Sequence, residues 1–244
     1  MKKVIFYLFF SVITLNLSAQ GLDKTYKTFD LALSSGKGSF SSAISFTQLW
    51  GLGKSNRFKV GYVVRVTPHF GGETNFRTAP AKFTSGSSSF SALFADDIAA
   101  NIDTFRVKSF QTFAVNIGMV IQYAVTNKLE VGFNIDATGK TWGTTVTGDL
   151  ISKRNKRKFQ DGSTTSDANP ETWNFLLVSD SDIGSLNSEI YARYWVTNKI
   201  GIRAGVSYQF VELTTEKKVE IKGRLNDTWR YKNTMPMIAV SYKF

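Results

Sequence analysis

Polarity along most of this chain repeats every second residue, and that period admits very few folds. Phe113, Val115, Ile117, Met119, Ile121, Tyr123 and Val125 are all apolar, while Ala114, Asn116, Gly118, Val120, Gln122 and Ala124 lie between them. A strand points successive side chains to opposite faces, so the run is extended, with one greasy face. Three residues, Thr126-Asn127-Lys128, interrupt it. Alternation then resumes, with Leu129, Val131, Phe133, Ile135 and Ala137 against Glu130, Gly132, Asn134, Asp136 and Thr138. Two strands joined by a tight turn are expected.

The same hairpin recurs. Ile190, Ala192, Tyr194 and Val196 oppose Glu189, Tyr191, Arg193 and Trp195; Thr197-Asn198-Lys199 turns the chain; Ile200, Ile202, Ala204, Val206, Tyr208 and Phe210 oppose Gly201, Arg203, Gly205, Ser207 and Gln209. Upstream, Ile44, Phe46 and Trp50 lead through Gly51–Asn56 to Phe58, Val60, Tyr62, Val64 and Val66, which oppose Lys59, Gly61, Val63, Arg65 and Thr67. Phe29, Leu31 and Leu33 (against Thr28, Asp30 and Ala32) open the series, and Ile238, Val240, Tyr242 and Phe244 (against Ala239, Ser241 and Lys243) close it. The expectation is eight strands. Short connections at Gly51–Arg57, Thr126–Lys128 and Thr197–Lys199 alternate with Ser35–Ser39 and with longer ones near Gly71–Thr104, Gly143–Ser185 and Thr214–Tyr231. Short turns at one end and long loops at the other are the habit of an up-and-down membrane barrel.

The N-terminus carries an export label. Met1-Lys2-Lys3 precedes an uncharged apolar run, Val4 to Leu17, and then Ser18-Ala19-Gln20. This reads as a signal peptide over residues 1–19, with residues 20–244 as the barrel domain. Loss of Lys2 and Lys3 lowers the net charge from +11 to +9. The apolar run is too short for a helical anchor, and no later stretch is long enough to span as a helix. Without Cys the chain makes no disulfide, zinc–thiolate centre or thiol nucleophile, and His69 alone cannot build a multi-histidine metal site. No cofactor or metal is expected. There is no phosphate-cradling Gly loop, dinucleotide fingerprint or calcium-loop pattern.

Alternation also suits a soluble sandwich. Lipid is favoured because the runs are long for ordinary strands and the apolar faces carry no charge. The opposite faces mix Gly with charge, as a crowded polar interior requires. Trp50, Phe58, Tyr123, Tyr194 and Tyr242 lie by the short turns, and Phe70, Phe113 and Phe210 towards the long loops, as interfacial aromatic belts do.

The last strand, Ile238-Ala239-Val240-Ser241-Tyr242-Lys243-Phe244, resembles the C-terminal insertion signal of bacterial outer-membrane barrels, with Tyr242 and Phe244 as its aromatic residues. Residues 23–244 as a whole resemble the small eight-stranded outer-membrane β-barrel family (OmpX/OmpA-like), without a periplasmic domain. That resemblance implies an all-β, up-and-down antiparallel transmembrane barrel in the outer membrane of a Gram-negative bacterium. It further implies loops outside, turns in the periplasm, and insertion by the barrel assembly machinery. Members include adhesins, scaffolds and a few lipid-modifying enzymes.

Eight strands leave an interior that side chains fill. The inward charges Arg65, Arg193 and Arg203 are therefore expected to pair with Asp30, Glu130, Asp136 and Glu189; a narrow ion path through them is the alternative. An enzyme is not expected. The rival is a lipid A-modifying site using His69 with partners such as Ser87–Ser89 or Asp96-Asp97. Lys153-Arg154-Asn155-Lys156-Arg157-Lys158 puts five cations in six residues. Nucleic acid is a poor partner for an exported chain, so lipopolysaccharide phosphates at the membrane rim are the expected contact, through Lys153, Arg154, Lys156, Arg157 and Lys158. Acids in the same connection make a self-compensated loop equally consistent. The last connection holds Lys217, Lys218, Lys222, Arg224 and Arg230 against Glu216, Glu220 and Asp227. The Ser/Gly-rich stretch Phe83–Phe90 followed by Ala92–Ile102 is expected either to form a short loop helix or, through Phe83, Phe90, Leu93 and Phe94, to cap the barrel mouth. The reading is a monomeric envelope component acting through its outer loops.

Overall fold

A strand with one apolar face is unstable alone, so each alternating run requires a neighbour on both backbone edges. In the computed structural model, which describes residues 22–85, 97–177 and 181–244, they find them. The expected signal peptide lies outside the described residues. The strands are β1 (Thr25–Gly36), β2 (Ser39–Leu52), β3 (Phe58–Gly71), β4 (Thr74–Thr78), β5 (Thr104–Val107), β6 (Phe110–Ala124) and β7 (Leu129–Gly143). They continue with β8 (Val146–Ile151), β9 (Thr165–Pro170), β10 (Trp173–Phe175), β11 (Leu186–Trp195), β12 (Ile200–Ile221) and β13 (Arg224–Lys243). One short helix, α1 (Ala81–Thr84), and a 3-10 turn at Ala99–Asn101 complete the described elements. Among the described residues, no helix is long and apolar enough to cross a membrane.

All pairings are antiparallel. They run from β13 through β1, β2, β3, β6, β7 and β11 to β12, and β12 pairs back with β13, so this circuit has no free edge. The turns explain the repeated sequence. Thr126 Oγ1 accepts the amides of Lys128 and Leu129 at 3.1 and 2.9 Å, and Thr197 Oγ1 accepts those of Lys199 and Ile200 at 3.2 and 2.9 Å. A threonine at the turn's first position satisfies amides that the ladder leaves free. Lys37-Gly38 and Lys222-Gly223 close the β1–β2 and β12–β13 hairpins at positive φ, the backbone a two-residue primed turn demands.

The long connections depart from expectation. They contain β4, β5, β8, β9 and β10, and Thr214–Tyr231 is not a loop but the continuation of β12 and β13. Beyond the first circuit these two strands close a second one: β12 pairs β9, β9 pairs β8, β8 pairs β5, β5 pairs β4, and β4 pairs β13. The second ring has its own dry centre, built from Phe76, Phe83, Phe105, Leu150, Phe159, Leu213, Val219, Ile221 and Trp229 among others. Phe83 therefore belongs to that core, whereas Phe90, Leu93 and Phe94 lie outside the described residues. The helix falls at Ala81–Thr84; of the stretch Ala92–Ile102, the described part contains only the 3-10 turn.

Two expected side-chain placements also change. The β6–β7 register shifts between Ile117 and Gly118, leaving Ala137 unpaired, so Thr138 faces outward and Thr141 inward. Phe210 keeps its outward parity but is buried rather than in a belt: Leu186 lies opposite it in the β11–β12 ladder, and the Arg230 guanidinium lies 4.9 Å over its ring.

Trp229 is fully buried, packs against Phe105 and donates its indole N–H to Thr215 at 3.1 Å. Trp229→Ala is expected to cost the second ring about 3–5 kcal/mol. Limited proteolysis should then cut within residues 74–170 while the first ring stays intact; an unchanged cleavage pattern would refute an independent second core.

Candidate functional site

The first ring sorts side chains by parity. Outward positions are apolar and open, among them Ile190 at 67% exposure, Ile238 at 58% and Ile117 at 53%. Trp50, Phe58, Tyr123, Tyr194 and Tyr242 are exposed by the short turns, and Phe40, Phe70, Phe113 and Trp142 at the opposite edge. Inward positions are charged, polar or small. Along the strands, the interior falls into layers.

Nearest the short turns is an apolar layer of Tyr26, Leu49, Val63, Val120 and Trp195. Above and against it lies an ion network. Arg193 reaches Asp30 at 3.0 Å and Glu130 at 3.5 Å, while Arg203 reaches Glu189 at 3.0 Å and Asp30 at 4.0 Å. Arg65 lies 3.4 Å from Glu189 and 3.6 Å from Asp136. Lys59 adds a fourth cation, 3.8 Å from Glu130, so four cations meet four carboxylates. Charge this deep persists only when balanced and hydrogen-bonded. Asn134 donates to Glu189 at 2.8 Å, Asn116 to Asp136 at 2.8 Å, Tyr26 to Glu130 at 2.8 Å, and Ser241 to Asp30. Arg193 also donates to Ser241 at 3.0 Å and to Gln122 at 3.2 Å. Tyr191 spans the centre under the Arg203 guanidinium, 4.5 Å above its ring, and donates to Gln122 at 3.1 Å. A Cβ at Gly132 would fall 2.5 Å from that phenol ring, which is why the facing position is glycine.

All seven interior charges named from the sequence thus share one network. Lys59 faces inward by parity but was not among the charges assigned to the network. The polar links Tyr26, Gln122, Asn116 and Asn134 carried no sequence signal beyond facing inward.

Above the network is a cavity of about 10 Å³, lined by Thr67, His69, Asn116, Asp136, Ser185 and Asn187 among others. That is room for about one water. His69 is buried edge-on to Phe110, and neither ring nitrogen has a hydrogen-bond partner among the described residues. Ser185 and Asp136 share the cavity with it, but Asp136 is engaged by Arg65, by Asn116 and by the Asn187 amide at 3.0 Å. Ser87–Ser89 and Asp96 lie outside the described residues, and Asp97 pairs with Arg77 at 3.6 Å. No group of three metal-binding side chains occurs among the described residues.

The basic run is at the far end of the second ring. Arg157 is committed to structure, paired with Asp103 at 2.8 Å and donating to the Ala100 carbonyl at 3.0 Å, while Asn155 donates to the same carbonyl at 2.7 Å. Lys153, Arg154, Lys156 and Lys158 are exposed. Nearby, hydrogen bonds from Lys217 and Ser163 hold the Asp161 carboxyl well below the usual range, and Asp227 raises the Lys218 ammonium.

No family model matches the chain, and no curated protein matches it. Among solved structures it is similar to Neisserial surface protein A, at 12% identity over 92% of this chain and 100% of that one, with a TM-score of 0.41. It is also similar to Ail, the attachment invasion locus protein of Yersinia pestis, in complex with the heparin analogue sucrose octasulfate (11%, 90% and 97%, TM-score 0.34). A third is a major outer-membrane protein of Thermus thermophilus (9%, 91% and 100%, TM-score 0.38). The functional reading rests on the chain's own geometry.

Arg193→Met is expected to destabilise the folded barrel by about 3–5 kcal/mol, because Asp30 and Glu130 lose their shared cation. Combined with Asp30→Asn, the loss should fall short of the sum by about 0.5–3 kcal/mol. Guanidinium unfolding in detergent measures both; strictly additive losses would show that the network does not act as a unit.

Proposed function

We propose that the chain is an integral outer-membrane β-barrel protein of a Gram-negative envelope, non-enzymatic, that crosses the membrane as an eight-stranded barrel and acts through its outer ring. The observation that carries this is the inside-out arrangement: a continuous exposed apolar band, edged by aromatics, around a charge-balanced interior. Water gives such a band no stabilisation, whereas hydrocarbon does, and a closed circuit alone lets strands enter lipid with every backbone group paired. The export label over residues 1–19 and the C-terminal aromatics Tyr242 and Phe244 fit delivery and insertion by the barrel assembly machinery, as a monomer.

The filled layers argue against a conducting lumen, and the size and partners of the His69 cavity argue against a lipid A-modifying enzyme. His69→Ala is expected to leave the lipid A mass spectrum unchanged; a lost or new acylation state would reinstate catalysis. The basic run changes its expected partner. On β13, Arg224 opposite Ile221 is ten residues from Thr234 opposite Tyr208, so at about 3.3 Å per residue the hairpin tip is roughly 33 Å from Tyr208, an exposed aromatic of the apolar face. The run lies at that far level, so pairing with lipid A phosphates at the rim gives way to pairing with anionic saccharide above it.

Ile117→Arg, at the centre of the apolar face of β6, tests the membrane reading. In lipid it is expected to cost about 2–4 kcal/mol, whereas an exposed site on a soluble protein would lose no more than about 0.5 kcal/mol. Sedimentation with outer membranes and a gel shift between boiled and unboiled samples should accompany the wild type. A chain found in the medium without detergent would overturn the assignment.

A further inference from the structure

The far end of the second ring carries a cleft that none of the above uses. It has a volume of about 270 Å³ and is lined by Lys82, Phe83, Asn101, Ile221, Lys222 and Arg224. Three separate segments meet there: α1, the 3-10 turn, and the tip of the β12–β13 hairpin. Phe83 and Ile221 close it from below but are themselves buried in the second core, with the Lys82 ammonium 5.2 Å over the Phe83 ring; its accessible wall is Lys82, Lys222 and Arg224, all exposed.

The neighbouring acids are already matched. Asp103 holds Arg157 at 2.8 Å, Asp161 holds Lys217 at 2.8 Å, Asp227 holds Lys218 at 2.9 Å and Asp97 holds Arg77 at 3.6 Å. No ion pair involves Lys82, Lys222 or Arg224 among the described residues. Glu220 is exposed and does not line the cleft. The excess extends beyond it: Asn155 and Arg157 both donate to Ala100, the residue before Asn101, which docks the exposed cations Lys153, Arg154, Lys156 and Lys158 beside the same wall.

We propose that this cleft and the adjoining basic run form a binding site for an anionic glycan bearing sulfate or phosphate esters, presented from outside the cell. The three cations supply charge-assisted hydrogen bonds to ester oxyanions, with Arg224 offering a two-pronged fork. The cleft, at about 270 Å³, has room for a sugar ring between the cations, more than a bare inorganic anion would fill. The run next to it continues the positive potential along a polymer. The outward direction of the site rests on the membrane reading; the cleft itself does not.

The test uses the full chain folded in detergent. Labelled dextran sulfate is titrated against the wild type, against Lys82→Gln/Lys222→Gln/Arg224→Gln, and against Lys27→Gln/Lys128→Gln/Lys199→Gln, which removes the same charge from the short-turn end. The cleft variant is expected to lose at least tenfold in affinity, equivalent to about 1.4 kcal/mol, and the control less than twofold. Affinity should fall steeply with salt, as polyanion binding does. Equal losses in both variants, or equal binding of unsulfated dextran, would overturn the site. Stronger competition by polyglutamate would assign it to an acidic protein, and by lipid A-bearing deep-rough lipopolysaccharide to the cell's own membrane; either result overturns the proposal. The boiled-against-unboiled gel shift is read on the same samples. A shift with no glycan binding defeats this proposal alone, and absence of the shift in the wild type defeats the membrane reading separately.

Discussion

Closure of the backbone hydrogen-bond circuit is the constraint on which everything else in this molecule depends. A strand edge left open in hydrocarbon costs several kcal/mol for each unpaired group. The β12–β13 pairing removes that edge, and the same two strands, continuing past the aromatic belt, also close the second ring. One hairpin therefore serves two barrels. The register break between Thr214 and Val219 falls in the second ring, where a bulge can add twist as the circuit narrows.

With closure fixed, parity decides the rest. Every inward position becomes a crowded interior site and every outward one a contact with the surrounding medium. A narrow interior filled with apolar residues would make the chain apolar on both faces. That composition is hazardous before folding, when such strands would pair with one another. Charge inside avoids it, provided the charges neutralise each other on folding. Arg65, Arg193, Arg203 and Lys59 against Asp30, Glu130, Asp136 and Glu189 meet that condition, and the surrounding hydroxyls and amides take up most remaining donors and acceptors. The network is consequently a device of specificity as much as of stability: a shift of one residue in β1, β3, β7, β11 or β12 would carry a charge into the apolar band.

Much of this was legible in the sequence. The long runs announce themselves, because period two over ten or more residues is hard to mistake, and the repeated Thr-Asn-Lys marks the turns through the hydroxyl's own chemistry. The inward charges followed from parity alone. What failed was whatever depended on distant partners. Strands β4 and β5 are five and four residues long and become strands only because β13 and β8 flank them. A bulge at Ala137 inverted the faces beyond it, so Thr138 went to the wrong side, and Phe210 looked lipid-facing because nothing local says that the chain above it is covered. The cleft was invisible for a related reason: Lys82 and Lys222 are separated by most of the chain and meet only because two rings share a hairpin.

The second ring also changes how the outer face can act. A flexible loop that orders on binding gives up conformational freedom at the moment of contact, about 1–2 kcal/mol for each residue fixed. Here α1 and the hairpin tip are anchored on a packed aromatic core, with Phe83 and Ile221 contributing both to the core and to the cleft floor. The cations above them are long and mobile, but their bases are fixed. An anionic polymer meeting this surface orders only lysine and arginine side chains, and a weak charge-based contact keeps more of its gross energy. The rigidity of the outer ring thus follows from the same continuation of β12 and β13 that seals the barrel below, and no separate scaffold is required.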